Sequence, residues 1–249
     1  MKRFILMGIM AAIGTLAAAA DVSRVDAGSL ALRGAIAEGD VDKLRQLATP
    51  ATTILRVNSE GGDPQAAMLL GRYLRQQQWD LAVDTVCAGS CALYVFPAAR
   101  RKHIPADAVL ALQASAFLRA QADPEQMWRI RVDAGVAAED LDGETVALAA
   151  QLASVAALEA AFASDLGIAP AYYRDFRQVA AQADGARLRF PDQEAAVFWW
   201  PAAARLQRCY GIAGVDEGTR AARLQPAGYL YVPALSALVM GDQALPGCP

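Results

Sequence analysis

Two short segments of this 249-residue chain carry residues that could do chemistry. The first is the turn at residues 58–63 (NSEGGD), which follows an apolar, β-branched run. Paired glycines such as Gly61 and Gly62 accept positive φ angles and let a ligand approach the backbone closely. Their amides could therefore converge on an anion or on a developing oxyanion. The turn lacks the Gly-Lys-Ser/Thr ending of a Walker loop, so it does not predict a nucleotide site.

The second segment is residues 87–97 (CAGSCALYVFP), where a predicted strand turns into a helix. A serine in such a turn presents its hydroxyl beside the amides of the helix end, which is the geometry of an activated nucleophile. Ser90 is thus a candidate nucleophile. The alternative is that Ser90 is a small residue packed in a tight turn, and both interpretations stay open without an identified base.

The elements around these segments alternate between strand and helix. Apolar runs predict strands at residues 52–57, 81–86 and 108–112, and helical spacing predicts helices at 64–77 and 88–96. Such alternation favours a parallel sheet with right-handed crossovers. The two turns would then meet at one edge of the sheet and share a pocket.

The rest of the chain extends this α/β pattern. We expect a loose tail at 21–27, a strand at 29–36, a helix at 41–47 and a basic turn at 100–103. Residues 123–181 predict a helical elaboration broken at Gly143 and Gly167, and residues 187–191, 197–211 and 228–232 indicate a return to mixed structure. Residues 146–163 predict a buried helix rather than a membrane span, because Gln151, Ser154 and Glu159 interrupt the apolar run.

The segment 54–115 resembles the ClpP/crotonase superfamily, and more narrowly its exported bacterial ClpP-like members. The motif Asn-Ser-x-Gly-Gly-Asp is matched at residues 58–63. A Cys-x-Ser-Ser-Cys-Ala-x-Tyr-x-Phe-Pro-Ala motif, or a variant of it, is matched at residues 87–98. A looser likeness covers residues 199–215. The resemblance implies a ClpP/crotonase-like fold with repeated ββα and βα crossovers, a parallel sheet and a helical C-terminal elaboration.

In ClpP-like peptidases a serine of the second motif attacks the substrate, and a histidine on the following strand is its base, oriented by an aspartate. The resemblance implies that amides of Gly61 or Gly62 and of Cys91 form the oxyanion hole. If the cysteines set the register, however, the serine position falls on Gly89 and the histidine position on Gln113. An amide does not titrate near neutral pH, so Gln113 cannot be a general base.

Candidates for the other triad roles fit poorly. His103 lies on the turn before the strand, and Lys43 and Lys102 are the only lysines after the N-terminal segment. The candidate orienting carboxylates are Asp165, Asp175 and Asp184. The sequence therefore favours a degenerate serine-peptidase-like site that binds a peptide or an acyl or carboxylate group, with a serine hydrolase using Ser90 as the alternative.

The N-terminus predicts export. Lys2 and Arg3 precede an apolar run that ends in small residues, which is typical of a cleaved secretory signal at residues 1–20. A single ClpP/crotonase-like domain at 21–249 would then be periplasmic or secreted, without a stable membrane anchor. In an oxidising compartment four cysteines suggest disulfides, most simply Cys87–Cys91 and Cys209–Cys248. A zinc site or a reduced Cys87 are the alternatives.

Composition limits the partners. The net charge of −3 gives no electrostatic case for nucleic acid. We expect no cofactor and no metal, and export to a compartment without coenzyme A argues against an acyl-CoA enzyme. The superfamily resemblance implies a homo-oligomer, so a ring-forming interaction protein is a further alternative. Residues 144–164 and the aromatic run 198–200 are either packing surfaces for such an assembly or ordinary core.

Overall fold

The computed structural model describes residues 20–183, 196–218, 224 and 228–248. The predicted signal segment, the predicted mixed structure at 187–191 and the candidate carboxylate Asp184 lie outside the described residues. The strands are β1 Asp21–Arg24, β2 Ser29–Arg33, β3 Ile54–Ser59, β4 Asp80–Ala88, β5 Lys102–His103, β6 Val109–Ala111, β7 Ala196–Trp199, β8 Val215–Asp216, β9 Tyr229–Val232 and β10 Ala237–Met240.

The helices complete a mixed α/β architecture. They are α1 Asp40–Leu47, α2 Pro64–Gln77, a π-helix Cys91–Val95, α3 Phe96–Ala98, α4 Ala116–Arg119, α5 Pro124–Asp133, α6 Leu141–Leu166, α7 Ala171–Arg174, α8 Phe176–Ala181, α9 Ala203–Tyr210 and a 3₁₀ turn Pro233–Leu235.

A seven-stranded sheet carries the architecture, in the order β1-β2-β3-β4-β5-β8, with β6 pairing the second half of β4. Every described pairing in this sheet is parallel except β1 with β2. A second sheet has the order β7-β10-β9. The predicted α/β class with strand-helix crossovers and a mostly parallel sheet is confirmed.

The crossover from β3 to β4 forms as its residues dictate. Asp63 caps α2 by accepting from the amide of Ala66 at 2.7 Å, and Pro64 occupies the first turn, where its missing N–H is harmless. Gly71 of α2 lies so close to the next helix that a Cβ there would stand 2.3 Å from the carbonyl oxygen of Tyr94. Only a glycine permits this approach, so α2 packs directly on the π-helix.

The helix after β4 is wider than an ordinary α-helix. A π-turn leaves some carbonyls poorly aligned with the amides of their own helix. Here two tyrosine hydroxyls of α7 donate hydrogen bonds to such carbonyls. Tyr172 donates to the carbonyl of Ala92 at 2.7 Å, and Tyr173 donates to that of Leu93 at 3.4 Å. The prediction that this helix stops at Pro97 is wrong by one residue, because α3 continues to Ala98.

Four further predictions differ from the structure. Residues 21–24 pair with β2 as an edge strand instead of forming a loose tail. Lys102 and His103 form β5 rather than a turn, because the main chain pairs with both β4 and β8. Gly143 lies inside the first turn of α6 and does not break it, whereas Gly167 does end α6, with φ 69°. Finally, α6 is not a buried helix: only 22% of its most apolar stretch is buried. Alanine makes a helix apolar without requiring burial, which explains the error.

The late part of the chain joins the same core. Trp199 and Trp200 are at most 1% exposed, so the aromatic run at 198–200 is core and not a free packing surface. The predicted pairing of Cys209 with Cys248 is confirmed, with Cα atoms 5.8 Å apart.

Candidate functional site

The turn after β3 and the turn after β4 lie against each other. Ser59 stands opposite Cys87 in the register of the two parallel strands. A Cβ on Gly61 would stand 2.9 Å from the amide nitrogen of Ser90, so only a glycine lets the two backbones approach this closely. The predicted shared pocket at one edge of the sheet therefore exists.

Ser90 is 7% exposed and its hydroxyl donates to the carbonyl oxygen of Gly62 at 2.8 Å. This bond directs the serine proton to a backbone carbonyl of the facing turn and not to a side-chain base. The contact also ties the two turns together. In this arrangement Ser90 links the two turns, and among the described residues its hydroxyl donates to no side-chain base.

The backbone amides of the two turns differ in whether they already donate a hydrogen bond within the protein. The amide of Gly61 donates to the hydroxyl oxygen of Ser59 at 3.2 Å, so Gly61 is not a free oxyanion donor. Gly62 has φ 135°, and a Cβ there would overlap the backbone of Ile36. Cys91 lies in the first turn of its helix, where amides have no intrahelical acceptor. Of the predicted donors, Gly62 lines the cavity described below, whereas Cys91 is fully buried and is not among its lining residues.

Gly89 and Gln113 occupy one small space. A Cβ on Gly89 would stand 2.7 Å from the carboxamide nitrogen of Gln113 and 3.0 Å from the carbonyl oxygen of Glu60. Gly89 also has φ 52°, a conformation that disfavours other residues. The amide of Gln113 therefore fills the place of a side chain at position 89. The resemblance assigns Gly89 and Gln113 to the serine and histidine positions of the family, and neither residue can act as nucleophile or base.

A disulfide fixes the turn that carries Gly89 and Ser90. Cys87 at the end of β4 is bonded to Cys91 at the start of the π-helix, as predicted, with Cα atoms 5.3 Å apart. Both cysteines are fully buried. The cross-link closes a short loop around Ser90, so the amide of Cys91 is held in a fixed position.

A cavity of about 230 Å³ opens between these turns and the helical elaboration. Its polar lining comes from Ser90 and Gln113 on the sheet side, and from Asp63, Tyr94 and Arg119 around it. Its apolar wall is formed by Leu93, Ala114, Ala116, Leu148, Leu152 and Val155. Gln65 and Gln151 also line it. One face of α6 is thus a wall of the candidate site.

Tyr94 and Glu159 form a buried polar pair behind this cavity. The hydroxyl of Tyr94 donates to Oε2 of Glu159 at 2.7 Å, and the amides of Ala116 and Phe117 donate to the same carboxylate at 3.2 and 3.1 Å. Burial raises the pKa of Glu159, while these donors lower it. Burial and the neighbouring carboxylate raise the pKa of Tyr94. The pair fixes the start of α4 against α6.

The remaining triad candidates lie elsewhere. His103 pairs with Ala82, six residues before the end of β4, which separates it from Ser90 by about 20 Å at the rise of a strand. Its Nδ1 lies 2.8 Å from Oδ2 of Asp216 at the surface. Asp165 binds Arg72, and Asp175 accepts from Tyr210. The structure brings none of them to Ser90.

Lysine is also absent from this cavity, and Lys102 instead donates to the carbonyl of Ala213 at 2.8 Å. Among the residues that the structure describes, no group of three or more His, Cys, Asp or Glu side chains could hold a metal ion. Sequence reasoning did not identify Arg119 or the α6 residues of the wall. Arg119 ends α4 and the wall residues lie on α6, so they fall outside both motifs, and no local pattern marks them.

Comparisons with known proteins support only coarse statements. No family model matches the chain, and no curated protein matches it. Similar solved structures include an enoyl-CoA hydratase from Mycobacterium avium subsp. paratuberculosis K-10, with a TM-score of 0.30 and 16% identity, covering 70% of this chain and 97% of that one. Another is Pseudomonas aeruginosa AtuE, with a TM-score of 0.28 and 14% identity, covering 68% and 92%.

The solved structures found include several enoyl-CoA hydratases, which are proteins of the crotonase superfamily. Their TM-scores near 0.30 carry no argument about this chain. The α/β architecture is shown by the strand order and the strand pairing, and the candidate site is described by the contacts between its own residues.

Proposed function

We propose that this chain is an exported ClpP/crotonase-like protein whose serine-peptidase-like site is degenerate and binds a peptide or an acyl or carboxylate group without hydrolysing it. The observation that carries the proposal is the contact between Gly89 and the amide of Gln113. It replaces a nucleophile and a base by a glycine and a neutral carboxamide. Loss of the catalytic base from a triad lowers the rate by several orders of magnitude even when the oxyanion hole remains.

The binding part of the proposal rests on the amide donor and the cavity beside the two turns. The amide of Gly62 is a suitable donor beside a cavity with one apolar wall. Preorganised amides of this kind bind a carbonyl or a carboxylate oxygen at low entropic cost. The export part rests on the apolar N-terminal segment and on the two disulfides, which persist in oxidising compartments.

The alternative function is an active serine hydrolase that uses Ser90. Labelling with a fluorophosphonate probe separates the two, since only an activated serine reacts. We expect no labelling of the mature protein, and fluorescein-labelled hexapeptides should bind in fluorescence polarisation without yielding cleavage products by mass spectrometry. Labelling or cleavage that disappears in Ser90→Ala would replace the binding function by the hydrolase.

A second candidate function, an assembly of several copies, is favoured by the outer face of α6. The 26-residue helix is about 39 Å long and turns an uncharged stripe outward. The members of this stripe are all exposed: Val146, Ala150, Ala153, Ala157, Ala161 and Ser164. Small side chains allow a second helix to approach closely.

Charge complementarity favours a second copy in antiparallel orientation. The first turn of α6 carries Asp142 and Glu144. Its last turn is flanked by Arg72, which binds Asp165, and by Arg75, which donates to the carbonyl of Leu166 at 3.0 Å. An antiparallel pair brings the acidic end of each copy to the arginines of the other.

Sedimentation velocity of the mature chain tests this assembly. We expect a dimer or larger species that Ala157→Arg converts to monomer, with Gln178→Arg on α8 as a control that adds the same charge at an exposed position elsewhere. A wild-type monomer at all concentrations removes the assembly function and leaves the binding function intact. If the protein binds to uncharged lipid vesicles and Ala157→Arg abolishes this binding, the exposed stripe contacts a membrane surface instead of a second copy.

A further inference from the structure

One cation faces the candidate cavity without a charged partner. Arg119 is the last residue of α4, and its Nε donates to the carbonyl oxygen of Ala114 at 3.1 Å. Among the residues that the structure describes, Arg119 forms no ion pair, in contrast to Arg72 and Arg100. The terminal nitrogens of its guanidinium are therefore free to donate to a ligand.

The negative groups that line the candidate cavity or lie behind it accept hydrogen bonds within the protein. Asp63 lines the cavity, but its carboxylate caps α2 through the amide of Ala66. Glu159 accepts from Tyr94 and from two amides at the start of α4. Gln65, Gln113 and Gln151 are neutral. Arg119 is thus the only cation among the described residues that line the cavity, and the charged carboxylate of Asp63 opposes it at the rim.

The size and the wall of the cavity limit what accompanies the anionic group. A volume of about 230 Å³ is between one and two times that of the cavity of about 150 Å³ that holds benzene, and it is smaller than a typical drug-sized site. It fits one residue or one short acid, not a large cofactor. The apolar wall, which includes Leu148 and Leu152, favours an aliphatic side chain.

We infer that the ligand of this site is a carboxylate that carries a short apolar group, recognised by the Arg119 guanidinium on one side and by the amide of Gly62 on the other. The inference rests on the proposed binding function and makes it specific. A guanidinium with an amide donor suits the two oxygens of a carboxylate, and it discriminates against the neutral amide of the same shape. The free C-terminus of a peptide and a free small acid share this chemistry.

Binding of matched ligands tests the inference on the mature, disulfide-bonded protein. The probes are a fluorescein-labelled hexapeptide that ends in leucine with a free carboxylate, the same peptide with a C-terminal amide, and N-acetyl-leucine as a competitor. In fluorescence polarisation we expect the free carboxylate to bind about tenfold more tightly than the amide, in line with a charge-assisted bond at a partly exposed site. The preference for the free carboxylate over the amide should decrease as the salt concentration is raised.

Arg119→Gln should remove most of this preference, and Arg119→Lys should keep part of it. The matched control is Arg174→Gln, since Arg174 is also an exposed arginine at the end of a four-residue helix but lines a different cavity. Thermal unfolding of each variant checks that it is folded. If Arg119→Gln fails to fold, the salt dependence and the Arg119→Lys variant still report on the charge.

The outcomes separate the two proposals. Equal binding of the acid and the amide, or an unchanged preference in Arg119→Gln, would overturn the carboxylate inference while the binding function stands. Competition by N-acetyl-leucine at the affinity of the hexapeptide identifies a free acid, and much weaker competition identifies a peptide terminus; both support the inference. If none of the three probes binds, both proposals are wrong. Hydrolysis that depends on Ser90 would remove only the non-hydrolytic function.

Discussion

Tyr94 and Glu159 lie 65 residues apart in the chain, and their hydroxyl and carboxylate oxygens are 2.7 Å apart in the buried interior. The pair connects the π-helix to α6. Through two amides of α4 the same carboxylate also holds the element that carries Arg119. Glu159 is therefore the residue on which the position of the helical elaboration relative to the sheet depends most.

Replacing Glu159 by alanine should lower the free energy of unfolding by about 3 kcal/mol, because it leaves the Tyr94 hydroxyl and two amides buried without an acceptor. Tyr94→Phe removes only one donor and should lower it by about 1 kcal/mol. Urea unfolding measures both, with the exposed Glu139→Ala as the control. Equal losses in the two variants would contradict a shared role for the α4 amides.

The two disulfides should differ in their contribution to stability. Cys209 and Cys248 are separated by 39 positions, and Cys87 and Cys91 by only 4. By loop-closure entropy, replacing Cys209 and Cys248 by alanine should lower the free energy of unfolding by about 4 kcal/mol. Replacing Cys87 and Cys91 by alanine should lower it by about 2 kcal/mol. Denaturant unfolding of the two double variants gives the ranking.

A larger effect of the short-range disulfide would contradict this entropic account. It would indicate that the bond between Cys87 and Cys91 acts mainly in the folded state, by holding the turn around Ser90.

Position 89 should accept a side chain only when Gln113 is shortened. Gly89→Ala places a Cβ 2.7 Å from the amide of Gln113 at a positive φ, so it should destabilise the protein by about 2–3 kcal/mol. In the background of Gln113→Ala the same change should cost about 1 kcal/mol less, because the amide is gone while the backbone strain and the close contact with the carbonyl oxygen of Glu60 remain. A double-mutant cycle by thermal unfolding measures this coupling, and strict additivity would show that the two sites do not compete for space.

Lys102 should make stability rise with pH in the alkaline range. Burial, together with the charge of Arg75, lowers its pKa from the ordinary 10.5 to about 8. Between these two values the unfolded chain holds a proton that the folded protein has lost, so the free energy of unfolding increases as pH rises, by up to about 1.4 kcal/mol per unit. Lys102→Met should abolish this increase. The difference between wild type and variant in urea unfolding from pH 7 to 10 is the measurement, and a pH-independent difference would contradict the lowered pKa.

The parts that sequence predicted well are those that local rules determine. Residues 64–77 form a helix with both predicted ends, because Asp63, Pro64 and the apolar periodicity all indicate the same element. The proximity of the two turns followed from the rule that neighbouring parallel strands end at the same edge. The even number of cysteines suggested disulfides, and the simplest of the possible pairings is the one in the structure.

The parts that sequence missed depend on distant residues. Nothing near Lys102 indicates a strand, since β5 exists through its pairing with β4 and β8. The exposure of α6 could not be inferred from its alanines, which suit a buried and an exposed helix equally well. Arg119 comes to the cavity only because Glu159, 40 residues later, anchors α4. These relations belong to tertiary packing and leave no local pattern.

The tight fit of Gly89 against Gln113 also bears on how this chain could change in evolution. A serine at position 89 alone meets the amide of Gln113, and it gains no base unless position 113 also changes. The two positions are thus coupled, and we expect substitutions at them to be accepted together rather than one at a time.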